Sequence, residues 1–208
     1  MKQEKYKFTN QEKEWSGSFG DNYIKRNEDK KIISSNHNLF SRILQKSKKI
    51  KSILELGCNV GLNLESLYRI SDVFELVGID INKTACKKAK QKNIAKIINT
   101  TITKEILIGD KFDLVFTKGV LIHINPKDLN KVYKNLFNLS NRYILVAEYY
   151  NPKPVTIDYR GKKDLLFKRD FAGELIDLYN LRLIDYGFVY HRDNFFPKDD
   201  ITWFLLEK

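Results

Sequence analysis

What most constrains this chain is an alternation that begins at Lys51, where short β-rich runs take turns with helical patterns. The runs are SILEL (52–56), FELVGID (74–80), AKIIN (95–99), FDLVFT (112–117) and YILVAEY (143–149), with helical patterns at 62–70, 84–92 and 129–139 between them. Strands separated by helices build βαβ units and a parallel sheet. In the last of these helices Leu129, Val132, Tyr133, Leu136 and Leu139 share one face, the apolar stripe that packs on a sheet. A further helix is expected at about 169–179, then strands at 181–190 and 200–208. The residues joining those strands, HRDNFFPKD, are too few for a crossover helix, so the two strands are expected to pair antiparallel.

The chain has 208 residues, enough for one domain with a real core. The spacing predicts a helical cap or lid over residues 1–50 and one α/β domain over 51–208. NPKPVTIDYRGKKDLL, between Tyr149 and Phe167, holds two of the four prolines and reads as a long connection, which in compact domains is usually functional. Two cysteines, Cys58 and Cys86, show no disulfide or zinc spacing, and His37, His123 and His191 show no ligand spacing, so no metal is expected. The polar N-terminus lacks the apolar core of a signal peptide, and no run is long enough to span a membrane; the expected location is the cytoplasm. The net charge of +11 leaves room for a polyanionic partner, although runs such as KSKKIK (46–51) and CKKAKQK (86–92) are more often solvated surface.

The first strand ends in ILELGCNVGLN, which falls short of a dinucleotide fingerprint because Asn59 and Leu62 stand where G-x-G-x-x-G needs glycine. It does match acidic-x-G-x-G-x-G through Glu55, Gly57 and Gly61, with Asn59 as the one departure; asparagine is the non-glycine residue that best tolerates a left-handed backbone. The second strand ends in Asp80, nineteen residues after Gly61, where a carboxylate can accept hydrogen bonds from ribose hydroxyls.

With these residues the sequence resembles the class I S-adenosylmethionine-dependent methyltransferases over roughly residues 50–208. The resemblance implies a three-layer Rossmann-like α/β fold with strand order 3-2-1-4-5-7-6, and S-adenosyl-L-methionine as cofactor. It also implies that Glu55, Gly57, Cys58, Asn59 and Gly61 line the methionine part of the cofactor and that Asp80 holds the ribose. Ile81 would pack on the adenine, and Thr100, Thr101 and Ile102 would flank its other side. Lys118 and Gly119, directly after the fourth strand, are expected in the cofactor pocket.

A narrower resemblance runs nearly end to end, through EWSGSFGDNYIKRN, TKGVLIHINP, EYYNP, IDYRG, FKRDFAGE and the final 24 residues, to methylases associated with pseudaminic acid biosynthesis. It implies a methyl transfer to a small acidic sugar of surface polysaccharide. A proton-removing group is expected at the carboxyl ends of strands four and five, where His123, Glu148 and Tyr150 are the candidates. Tyr149, Tyr159, Arg160, His191 and Arg192 are candidates for holding the acceptor, because an arginine fork beside a tyrosine suits a carboxylate or phosphate. Trp15, Tyr23 and Arg26 lie in EWSGSFGDNYIKRN, where Tyr23, Arg26 and Asn27 at helical spacing share a face that would close over the cofactor, with Arg26 on the methionine carboxylate and the glycines at 17 and 20 as hinges. Two other readings stay open: methylation of RNA or protein, and a cofactor-binding scaffold without catalysis.

Overall fold

The computed structural model describes residues 6–24, 30–159 and 162–208. Three helices come first, α1 (Asn10–Ser16), α2 (Ser18–Ile24) and α3 (Lys30–Leu44). The alternating core follows as β1 (Ser52–Leu56), α4 (Leu62–Ile70), β2 (Glu75–Asp80), α5 (Lys83–Lys90), β3 (Lys96–Asn99), β4 (Phe112–Lys118), α6 (Leu129–Leu139) and β5 (Ser140–Glu148). Two short 3-10 turns, Leu121–His123 and Pro126–Asp128, link β4 to α6. The chain then makes β6 (Val155–Tyr159), β7 (Lys162–Lys168), α7 (Phe171–Tyr179), β8 (Arg182–Val189) and β9 (Ile201–Glu207).

Seven strands form one sheet in the order β3-β2-β1-β4-β5-β9-β8. The first five run parallel, with Leu54 of β1 opposite Val77 of β2 on one side and Val115 of β4 on the other. β9 joins β5 antiparallel, with Leu205 opposite Leu145, and β8 closes the edge with Tyr186 opposite Phe204. The expected order, in which the last two strands form an antiparallel hairpin with the final one inside, is the order found.

Period-2 alternation divides the core between the two sheet faces. Leu54, Leu56, Val77, Ile79, Val115 and Ile144 point to the side covered by α6 and α7, where they meet Val132, Leu136, Phe171 and Leu175. Ile53, Leu76, Leu114, Phe116 and Leu145 point to the other side, covered by α3, α4 and α5, and meet Leu39, Phe40, Ile43, Leu64 and Cys86. Strands buried on both faces read as near-continuous apolar runs, which is why SILEL and FDLVF stand out in the sequence. The α6 stripe of Leu129, Val132, Tyr133, Leu136 and Leu139 is buried as its spacing predicts.

The stretch read as a long connection instead contains an antiparallel ribbon, β6 paired with β7 through Thr156↔Phe167 and Ile157↔Leu166. β6 is exposed along most of its length, so its alternation carries no burial signal, and Pro152 and Pro154 just before it mark it as irregular. β7 does bury Leu165, Leu166 and Phe167, and it packs against the 3-10 turn at Leu121–His123. The ribbon therefore lies beside the carboxyl ends of β4 and β5. Phe116 is fully buried and packs edge-on against Phe40 at 5.3 Å between ring centroids, tying α3 to the sheet. Phe116→Ala is expected to lower unfolding stability by about 3–5 kcal/mol in urea titrations, the usual cost of such a cavity.

Candidate functional site

At the carboxyl end of β1 the backbone turns sharply. Gly57 has φ +87°, Asn59 φ +47° and Gly61 φ +77°, so the acidic-x-G-x-N-x-G spacing is a succession of left-handed residues. Asparagine takes that conformation at small cost, and its Oδ1 accepts the Val60 N–H at 2.7 Å, which holds the turn locally. The loop is also pinned to β2: the Gly57 and Cys58 N–H groups both donate to the Ile79 carbonyl, at 2.8 and 2.9 Å. The Asn59 N–H donates to Asp80 Oδ2 at 2.7 Å, and Asn82 N–H to Asp80 Oδ1 at 2.8 Å. Burial pushes the Asp80 carboxyl up, against the pull of these backbone amides.

A cleft of about 1190 Å³, part of it open to solvent, lies over this loop. Of the residues expected to hold a cofactor, it is lined by Trp15, Tyr23, Gly57, Cys58, Asn59, Asp80, Ile81, Thr101, Ile102, Lys118 and Gly119. Glu55 lies beneath the loop, fully buried, accepting from Asn63 Nδ2 at 2.5 Å, with its second oxygen unpartnered among the described residues. Burial pushes the Glu55 carboxyl up to about 8, opposed by Asn63 and by the Lys118 ammonium. Gly61 is the N-cap of α4 rather than a wall of the cleft. Arg26 and Arg160 lie outside the described residues.

The N-terminal helices roof the cleft through contacts that only the fold brings together. Glu12 of α1 closes a capping box with Thr9 and also accepts hydrogen bonds from Thr101, from Thr103 at 2.5 Å and from Tyr6 at 2.7 Å. Asn82 donates to the Trp15 carbonyl at 3.1 Å and to Asp21 at 3.0 Å, fixing both helices to the start of α5. Gly20 is needed for close approach: a Cβ there would stand 2.0 Å from the Trp15 carbonyl oxygen. Its smallness thus serves the packing of α2 on α1, where the sequence suggested a hinge.

An aromatic cluster forms the wall beyond Gly119. Trp15 lies 4.5 Å and Tyr159 lies 5.5 Å from the His123 ring, centroid to centroid, while Phe19 and Tyr23 meet Trp15 edge-on. His123 is 9 % exposed, and its Nδ1 faces the Leu165 carbonyl at 2.9 Å. A carbonyl only accepts, so Nδ1 carries the proton and Nε2 keeps a lone pair. Burial pushes the imidazole down to about 4, so it is neutral near pH 7. The Trp15 indole N–H has no partner among the described residues.

The other candidates stand elsewhere. Glu148 is buried and accepts the Val120 and Leu121 N–H groups at 3.0 and 3.1 Å, so it shapes the turn after β4 from behind; burial raises its carboxyl to about 7. Tyr150 is 41 % exposed and packs toward Phe204, away from the cleft. The Tyr149 ring lies under the Lys168 ammonium at 5.2 Å. His191 pairs with Asp200 at 2.8 Å on the surface, and Arg192 is exposed. Gln11, Glu12, Asn36, Asn63, Val120, Asn125 and Asp128 also line the cleft, and sequence reasoning did not single them out. Among the described residues there is no metal-binding cluster and no helix long and apolar enough to cross a membrane.

Two expectations follow from this geometry. A Cβ at Gly57 would stand 2.5 Å from Val120 Cγ2, whereas Gly119, also left-handed, has open space around it. Gly57→Ala should therefore destabilise the protein by roughly 1–3 kcal/mol and Gly119→Ala by about 1 kcal/mol, read by thermal unfolding. For Glu12, burial raises the carboxyl, but the bonds from Thr101, Thr103, Thr9 and Tyr6 outweigh it and hold it below its ordinary value. A depressed acid gives its stabilisation above its unfolded value and loses it as pH falls through the folded one. Hydrogen exchange of residues 9–24 should accelerate as pH drops through that window once intrinsic rates are normalised, and Glu12→Gln should show fast exchange already at neutral pH.

The comparisons agree with the architecture. Residues 53–142 match the family described as a methyltransferase domain. No curated protein matches the chain. Among solved structures, magnesium protoporphyrin IX methyltransferase from Synechocystis PCC 6803 with bound S-adenosylhomocysteine is similar at TM-score 0.68 and 15% identity, covering 94% of this chain and 96% of that one. A SAM-dependent methyltransferase of Leishmania major is similar at TM-score 0.71 and 12% identity, covering 97% and 87%. The plantazolicin methyltransferase BpumL, also in complex with S-adenosylhomocysteine, is similar at TM-score 0.64 and 16% identity, covering 95% and 93%. At such identities the likeness is one of fold: the chain has the α/β Rossmann-like fold of methyltransferases, and the stretch that matches a methyltransferase domain lies within it.

Proposed function

We propose that the cleft holds S-adenosyl-L-methionine with its ribose at Asp80, its adenine between Ile81 and the Thr101–Ile102 segment, and its methionine end over Gly57–Asn59 near Lys118. The observation that supports this is the joining of the left-handed loop to Asp80 beside a cleft at the strand carboxyl ends, where open α/β sheets bind ligands. The residues suit the group chemically. Asp80 spends one lone pair of each oxygen on backbone N–H groups and keeps others for ribose hydroxyls. Glu55 has a buried, unpartnered oxygen below the loop, and Asn36 an unpartnered amide N–H at the cleft wall, among the described residues.

Bound there, the cofactor supplies an activated methyl group, so the protein needs only to align an acceptor, exclude water and receive a proton. Trp15, Phe19, Tyr23 and Tyr159 keep water from the space beside His123. The indole N–H of Trp15 and Nε2 of His123 offer a hydroxylated acceptor one donor and one hydrogen-bond acceptor on adjacent rings. His123 is the group we assign to receive the proton. With its value near 4 it acts first as an oriented hydrogen-bond acceptor; the acceptor hydroxyl becomes strongly acidic as its oxygen takes the methyl group and turns oxonium, and its proton then passes to Nε2. Glu148 holds the turn that carries His123 and does not itself touch the cleft.

The acceptor we propose is a small acidic sugar of the pseudaminic, nonulosonic type, its precursor or its nucleotide-activated form. TKGVLIHINP and IDYRG, two of the segments that carry that resemblance, supply cleft and aromatic-wall residues Lys118, Gly119, Val120, His123 and Tyr159. The basic run at 46–51 leads into the amino end of β1, away from the cleft, which favours a small acceptor over nucleic acid. Fold alone does not choose the acceptor, since the similar proteins are named for substrates as different as magnesium protoporphyrin IX and plantazolicin.

Incubation with methyl-labelled S-adenosylmethionine and a panel of nonulosonic acids and their nucleotide forms should give a labelled sugar. Transfer to RNA or protein alone, or to nothing, would remove this acceptor. His123→Gln should lower kcat at least 100-fold with cofactor affinity within threefold of wild type. Asp80→Ala should abolish S-adenosylhomocysteine binding in calorimetry, and unchanged affinity would show the ribose to lie elsewhere.

A further inference from the structure

A buried amide and one lysine line a wall of the cleft, and a second lysine stands behind the amide. Asn36 of α3 is 0 % exposed and lines the cleft; its Oδ1 accepts from Lys198 Nζ, while its Nδ2 has no partner among the described residues. Lys198 comes from the loop between β8 and β9, where residues 191–197 are all exposed, yet it is itself only 8 % exposed. Lys118, at the end of β4, lines the cleft and lies within hydrogen-bonding reach of Lys198. Two amines of like charge are costly to bury together unless an anion joins them.

Three acids face the pair, and the second oxygens of Glu55 and Glu148 have no partner among the described residues. Glu55, from β1, is bonded to Asn63 and pushed up to about 8 by burial. Glu148, from β5, is bonded to the Val120 and Leu121 N–H groups. Asp199, next to Lys198 in its own loop, is exposed. The donors at the wall are the free Asn36 N–H and Lys118, with Lys198 behind them on Asn36 Oδ1.

We propose that Asn36, Lys118 and Lys198 form a carboxylate-binding site, and that Lys198 ties the β8–β9 loop to the ligand bound there. The site rests on the methyltransferase reading above, which offers two sources of a carboxylate: the methionine end of the cofactor and the acidic acceptor. Either one brings a proton with it. Burial, and then the neighbouring Lys118, hold Lys198 down to about 6, so it is neutral at pH 7.5 and regains its proton when a carboxylate arrives. A ligand ammonium near Glu55 would release a proton, so the informative quantity is the difference between ligands with and without the carboxylate.

Calorimetry at pH 7.5, in two buffers of different ionisation heat, compares S-adenosylhomocysteine with its decarboxylated counterpart. If the cofactor is the source, the wild-type protein binds the first at least tenfold tighter and with nearly one more proton taken up. Lys198→Met and, independently, Asn36→Leu should each erase that difference. If the acceptor is the source, the two ligands bind alike, whereas N-acetylneuraminate binds the S-adenosylhomocysteine-saturated protein with proton uptake and at least tenfold more weakly to Lys198→Met. The wild-type arms need no variant to fold, and circular dichroism checks the variants. Carboxylate-independent binding of S-adenosylhomocysteine together with no lysine-dependent binding of N-acetylneuraminate overturns the site alone. No binding of S-adenosylhomocysteine to the wild type overturns the cofactor reading, and the site with it.

Discussion

The structure depends on the hydrogen bonds between the β1–α4 loop and the end of β2. Two N–H groups on the Ile79 carbonyl and one on the Asp80 carboxylate hold three left-handed residues in place. Were the loop to relax, α4 would lose its N-cap at Gly61, Val120 would lose the glycine it packs against, and Asp80 would lose the amides that offset its burial. The same bonds that make a stable β-to-α turn therefore also leave a carboxylate, a bare backbone and a cavity at one place. Clefts in open α/β sheets arise there because the strand order reverses between β1 and β4, and the helices that follow these two strands leave to opposite faces of the sheet.

Much of this was legible in the sequence, for local reasons. Parallel central strands show themselves as apolar runs, and the α6 stripe by its helical spacing, so the parallel strands and the antiparallel end followed from short segments, while the sheet order followed from the family resemblance. Gly57, Asn59, Gly61 and Asp80 were legible because few residue types fit a left-handed turn or end a buried strand with a charge. What was hidden is held by contacts between distant residues. Glu12 meets Thr101 across 89 positions, and Lys198 meets Asn36 across 162. No periodicity announces such pairs, and Glu12 and Lys198 read individually as ordinary surface charges.

The β6–β7 ribbon was missed for a related reason. An exposed strand lacks the alternation of burial that makes strands visible, and two prolines at its approach read as irregular chain. Yet Leu165 in this ribbon fixes the tautomer of His123 through its carbonyl, and Tyr159 completes the aromatic wall. Glu148 shows the converse. A carboxylate at the end of an apolar strand needs a partner, and here the partners are the two N–H groups of the turn that presents His123.

Every role proposed for the cleft residues depends on the cofactor lying over the glycine loop. A crystal structure with S-adenosylhomocysteine tests this most directly. It should show the ribose hydroxyls on Asp80, the adenine beside Ile81, and the thioether facing the Trp15 and His123 rings. Ligand density elsewhere on the sheet, or in the cleft with the ribose turned away from Asp80, would contradict it.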